Sequence, residues 1–114
     1  YAAQQKFLSW VNKTPDLEVR LGRQQKKSNG TWEEKGVDVK IAVDMLTKAS
    51  KGHYDVAILV SGDGDLFEVV HEVKEQAKHV ELVVFSGQSC YHLQQKADRC
   101  IDVDSAFLSG CWLR

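Results

Sequence analysis

The order of strand-like and helix-like segments predicts an α/β fold, a three-layer α/β/α arrangement with a mainly parallel central sheet, in a single domain spanning residues 1–114. Three observations carry this expectation. The run Val56-Ala57-Ile58-Leu59-Val60 is uninterruptedly apolar, as in a strand covered on both faces of a parallel sheet. After it, helical and strand patterns alternate, which requires right-handed crossovers. The composition, 43% apolar and 27% charged with a single proline, suits one compact core.

Each element follows from local pattern. Ala3, Phe7, Trp10 and Val11 recur at helical spacing and stop before Asn12-Lys13-Thr14-Pro15-Asp16, so an amphipathic helix opens the chain. Leu17, Val19 and Leu21 alternate with Glu18 and Arg20, the period of a half-buried strand, and the polar run Arg23 to Gly30 reads as a basic loop. Gly36 to Ala49 contains no proline and no internal glycine and ends at Ser50-Lys51-Gly52, which predicts a helix. Beyond the apolar strand, Leu66, Phe67, Val69, Val70, Val73 and Ala77 form a helical stripe. Val80 to Phe85 is strand-like, Ser89 to Lys96 a short helix, and Cys100 to Val103 the last strand.

Charge and composition exclude several roles. Fifteen Lys and Arg against sixteen Asp and Glu leave no overall basic field, so a polyanion must be met locally. No apolar stretch approaches the length of a membrane span, which argues against a membrane partner. The opening residues from Tyr1 lack the signature of a secretion signal, and Cys90, Cys100 and Cys111 are odd in number, so the expected compartment is the reducing cytoplasm. Cys90-Tyr91-His92 with Cys100 has no zinc spacing. His53, His71, His79 and His92 read as water-facing residues of turns and helix faces. Cys111 and Trp112 would pack on the core or on a partner, a second copy of the chain or another protein.

In a parallel sheet, ligands meet the loops at the carboxyl ends of the strands. The loop after the most apolar strand is Ser61-Gly62-Asp63-Gly64-Asp65. It lacks the Lys-Ser/Thr ending of a P-loop and the third glycine of a dinucleotide fingerprint. Paired carboxylates repel a bare phosphate but accommodate one bridged by a hard cation such as Mg²⁺, which takes one or two carboxylates plus water and substrate oxygens. The plainer reading is that Asp65 caps the next helix and Asp63 holds the turn. A third carboxylate shifts the balance. On a helical wheel, Asp38 projects near the middle of the arc formed by Val37, Ile41, Ala42, Met45, Leu46 and Ala49, where an unpaired charge is costly and needs a partner. Asp44 falls on the polar arc, with a solvated role as its default. Lys35 could steady a carboxylate or a phosphate.

The pattern Lys35-Gly36-Val37-Asp38, then Ala42-Val43-Asp44, then Ile58 through Asp65 resembles the NYN domain family, the LabA-like branch of the PIN-like nucleases; Ala97 to Asp102 is similar to that family's closing strand. The resemblance implies an endoribonuclease dependent on Mg²⁺ or Mn²⁺ acting on RNA, single-stranded by preference. It carries metal binding onto Asp38, Asp63 and Asp65, with Asp44 a weaker catalytic carry-over. Ser61 would orient the loop, and Gly62 and Gly64 would allow close backbone approach. The family also opens with a central strand ending in aspartate, so the resemblance implies such a strand, and one more carboxylate, ahead of Tyr1.

Two other readings stand beside this one. A regulatory RNA- or protein-binding module with a degenerate site would need no complete carboxylate cluster. A phosphatase using Asp63 and Asp65 as nucleophile and acid/base is disfavoured by Phe67, which stands where a Thr or Val is expected. For RNA contact, Arg20, Arg23, Lys26 and Lys27, with Lys13 nearby, would form a phosphate-gripping rim, and Trp32 would stack on a base.

Overall fold

The computed structural model describes residues 2–87 and 91–111 and divides into two compact units, one ending at Lys40 and the other beginning at Ile41. In the first, helix α1 (Ala2–Asn12) forms where the apolar spacing predicts it. Its Phe7 and Trp10 rings lie 6.3 Å apart and remain largely exposed. The Thr14 hydroxyl donates to the Trp10 carbonyl at 3.2 Å and closes the last turn.

The expected strand over Leu17–Leu21 does not form, and the basic run is not a loop. Instead β1 (Arg23–Lys26) pairs antiparallel with β2 (Trp32–Lys35), Arg23 opposite Lys35 and Lys26 opposite Trp32. Turn chemistry decides this rather than apolar alternation. Asn29 Oδ1 accepts from the Thr31 N–H at 3.0 Å and the Thr31 hydroxyl at 2.6 Å, and the Lys27 N–H donates to the Thr31 carbonyl at 2.7 Å. Gly30 takes φ +88°, the left-handed conformation that an Asn-Gly turn supplies without strain. Leu17 and Leu21, without ladder partners, stay exposed. Gly22 is held to glycine by closeness: a Cβ there would lie 2.7 Å from the Lys35 carbonyl oxygen and from Val37 Cγ2.

Helix α2 (Val37–Ser50) follows Gly36, which itself turns the chain at φ +88°. In the second unit, β3 (Val56–Val60), β4 (His79–Phe85) and β5 (Arg99–Val103) form a parallel sheet in the order β3-β4-β5, as the alternating pattern predicts. Helices α3 (Phe67–Glu75) and α4 (Tyr91–Lys96) connect them, preceded by a 3₁₀ turn at Gly64–Leu66. Ser89 and Cys90, expected in the short helix, and Trp112 lie outside the described residues. Leu59, Val80, Leu82 and Val84 present one sheet face to Ala49, Leu66, Val69, Val70, Val73 and Leu93, and this cluster is the core.

Strand β3 departs from the expectation of cover on both faces. Leu59 is buried, but Val56, Ile58 and Val60 are 52%, 63% and 56% exposed. The core side chains all meet the Leu59–Leu82 face, and β3 is an edge strand of the sheet among the described residues.

At the amino ends of the strands, Asp98 acts as a latch. Its backbone N–H donates to the Val80 carbonyl at 2.9 Å, and its Oδ2 accepts from the Val80 N–H at 2.8 Å. Lys74 Nζ lies 3.2 Å from Asp98 Oδ1 and donates to the Lys96 carbonyl at 2.8 Å. The Val80 N–H holds the Asp98 carboxyl below its ordinary range; burial pushes the other way, and Lys74 and His79 add to the lowering. Among the described residues, no helix is long and apolar enough to cross a membrane.

Candidate active site

Ser61 to Asp65 leaves the carboxyl end of β3, where the sequence placed a ligand loop. The Ser61 N–H still donates to the Val83 carbonyl at 3.2 Å, so the loop starts from the sheet ladder. Ser61 Oγ then accepts from the Asp63 N–H at 3.1 Å, and Asp63 Oδ1 accepts from the Asp65 N–H at 2.9 Å. Asp63 is therefore the N-cap of the 3₁₀ turn, with the extended backbone of a cap. The capping role considered for Asp65 falls to Asp63, and Asp65 lies within the turn, exposed. Leu66, 2% exposed, pins the turn to the core one residue later. Two carboxylates thus stand two residues apart on a turn fixed at both ends.

Gly64 sits in open surroundings with an ordinary dihedral. A Cβ added to Gly64 would meet nothing within 4 Å, and its φ is not positive. Gly62 is half-buried beside Ser61.

Asp38 lies in the first turn of α2, as predicted, but it does not point into a core. It is exposed, and the residues of α2 that meet the core cluster begin at Ile41. Within the first unit it lines an open cleft of about 430 Å³ with Glu33, Lys35 and Gly36. Lys35 Nζ pairs with Glu33 Oε1 at 3.3 Å. Asp44, expected on the solvated arc, is half-buried. Among the described residues, no three His, Cys, Asp or Glu side chains are arranged to hold a metal ion. The structure brings Asp63 and Asp65 together; Asp38 belongs to the other unit.

The predicted basic rim divides by strand pleat. Arg23 and Lys35 are cross-strand partners on one face of the hairpin, and Lys26 and Trp32 are partners on the other. Trp32 is 63% exposed. Lys27 pairs with Glu33 at 3.9 Å and Arg20 with Glu18 at 3.2 Å, so part of the rim's charge is answered locally. Lys13 lines a separate cleft with Gln5, Ser9 and Asn12.

A family model, the NYN domain, matches residues 1–105. The chain belongs to the NYN domain family. Membership places it in the PIN-like nuclease superfamily, whose members generally use divalent metals, and NYN relatives bind RNA. The chain is 29% identical over 80 residues to the low amplitude and bright protein LabA of Synechococcus elongatus, an alignment covering 68% of this chain and 42% of LabA. It also resembles the crystal structure of a protein of unknown function from Vibrio parahaemolyticus, with a TM-score of 0.65 and 25% identity, over 94% of this chain and 64% of that one. The NYN domain described here thus spans less than half the length of LabA.

Sequence reasoning passed over residues that the fold sets beside the carboxylates. Phe67 reads as part of the helical stripe and His92 as a water-facing residue, yet both line a cleft with Gly64. His92 and His53 are indeed exposed, His71 is half-buried, and His79 lies on β4 rather than in a turn or helix.

Proposed function

We propose that this NYN domain is a metal-dependent endoribonuclease that hydrolyses RNA phosphodiesters. The observation that carries the reading is the Ser61–Asp65 turn: two carboxylates at the carboxyl end of a parallel strand, fixed by Ser61 Oγ, by the Asp63 cap and by buried Leu66. The donors fit the metal in kind, since Mg²⁺ and Mn²⁺ take hard oxygen ligands and Mg²⁺ needs only one or two carboxylates beside water and substrate. Asp63 and Asp65 would hold it, with Asp38 and Asp44 as the further acidic positions of the family pattern. What a divalent cation supplies at such carboxylates is a more acidic water and stabilisation of charge developing on the phosphoryl oxygens.

The protein's own residues do the rest. Ser61 and the Asp63 cap fix the backbone of the turn and the Asp63 carboxylate, so little reorganisation of the loop is needed when a phosphodiester arrives. On one face of the hairpin Lys26 would answer a phosphate beside exposed Trp32, which offers a face to a single-stranded base, and Arg23 and Lys35 would answer phosphate on the other face. The expected setting is the cytoplasm.

The test is incubation of the protein with end-labelled single-stranded RNA in Mg²⁺ or Mn²⁺. Internal cleavage that stops with chelator and with Asp63→Asn or Asp65→Asn is the expected result. Cleavage by the variants at the wild-type rate would overturn the assignment. One observation favours a second reading, a regulatory RNA-binding module: among the described residues no three-ligand metal group is assembled. RNA binding without cleavage in either metal would select it.

A further inference from the structure

We infer that Phe67 and His92 form a stacking slot for one unpaired nucleobase of the RNA, immediately beside the carboxylate turn; this rests on the nuclease reading above. Helix α4 is seated by Leu93, fully buried in the cluster that also holds Leu66, Val70 and Val73. That seating fixes the preceding residue, His92, at the surface, where it shares a cleft of about 290 Å³ with Phe67 and Gly64. The Tyr91 ring meets His92 edge-on, with centroids 5.6 Å apart and planes at 75°, a favourable aromatic geometry that orients the imidazole.

The described residues lining the cleft are Phe67, His92 and Gly64, two aromatic side chains and one residue without a side chain. A Cβ added to Gly64 would lie more than 4 Å from either ring, so this side of the cleft is uncrowded. The volume lies at the small end of ligand sites, about 300–1,000 Å³, and suits one planar group rather than a length of chain. Among the described lining residues there is no Lys, Arg, Asp or Glu, so what the cleft offers is aromatic surface for a π face. A base in a duplex has both faces stacked already, so the slot accepts a single strand, with little regard to base identity. Gly64 is flanked by Asp63 and Asp65, so a base held against it brings an adjoining phosphate to the carboxylates. The slot therefore sets the register of the strand at the cut.

The experiment is fluorescence anisotropy of a labelled 12-nucleotide oligouridylate in Mg²⁺, with Asp63→Asn as the uncleaving background, and an abasic oligonucleotide of equal length as control. His92→Ala and, separately, Phe67→Leu should weaken binding of the base-bearing strand by about 5- to 100-fold and leave the abasic strand unaffected. His92 is exposed, so its variant keeps the fold even if Phe67→Leu does not. Unchanged affinity in His92→Ala, with the unmutated protein cutting RNA in a parallel assay, overturns the slot alone. An unmutated protein that neither binds nor cuts single-stranded RNA overturns the nuclease reading and the slot with it.

Discussion

Asp98 and Asp63 sit at opposite ends of the same parallel sheet, and their surroundings assign them opposite work. At the amino ends, Asp98 accepts the Val80 N–H, faces Lys74 at 3.2 Å and has His79 at 3.7 Å. Its charge is spent within the fold. At the carboxyl end of β3, Asp63 uses one oxygen to cap a single 3₁₀ turn beside exposed Asp65. The comparison teaches that a strand-end carboxylate is structural where a cation and a backbone donor answer it. It becomes a candidate for chemistry where it caps a loop at the carboxyl end of a strand beside a second carboxylate.

The strongest way to break this contrast is to unseat the turn. Leu66→Ala removes a side chain that is 2% exposed and should cost about 2–5 kcal/mol in chemical denaturation. It should lower RNA cleavage as well, because the carboxylates lose their anchor. Next comes the latch. Asp98→Ala leaves the Val80 N–H and Lys74 without their carboxylate and should cost about 1–3 kcal/mol in the same measurement, with cleavage retained at temperatures where the variant is folded.

Acid sharpens the same point. The Asp98 carboxyl is held below its ordinary value in the folded state, so its contribution is complete above the unfolded carboxylate range near pH ~4. As pH falls through the depressed folded value, the contribution is lost. Stability measured from pH 6 downward should fall less steeply in Asp98→Asn than in the unmutated chain. The smallest effect concerns the turn into α2. Gly36→Ala forces alanine to φ +88° and should destabilise by about 1 kcal/mol in a melting experiment, without touching the carboxylate turn.

The second unit was legible from sequence because its signals are local and agree with one another. The apolar run at Val56–Val60, the stripe from Leu66 to Val73 and the strand ending at Phe85 each combine period and length, and the structure forms them in that order. Leu17–Leu21 misled because alternation alone does not make a strand without a partner. The partners belonged to a polar hairpin set by Asn29 and Gly30, whose turn signal outweighs the absence of apolar residues. Asp38 misled for a different reason: a helical wheel gives direction but not which turns of the helix meet the core, and here contact with the core cluster begins at Ile41. The carboxylate turn was visible as Ser-Gly-Asp-Gly-Asp, whereas the Phe67–His92 cleft joins residues from separate helices and no local pattern announces it.

The most direct test sets the two aspartates against each other in one assay. Asparagine is as good an N-cap as aspartate, so Asp63→Asn removes charge while keeping the hydrogen bond to the Asp65 N–H. Single-turnover cleavage of single-stranded RNA in Mg²⁺, with melting temperature recorded for each protein, should show Asp63→Asn slowed by at least about 100-fold with its melting temperature unchanged. Asp98→Asn should show the reverse, a lower melting temperature with cleavage intact. Wild-type cleavage by Asp63→Asn would contradict the assignment of chemistry to the carboxyl end of the sheet.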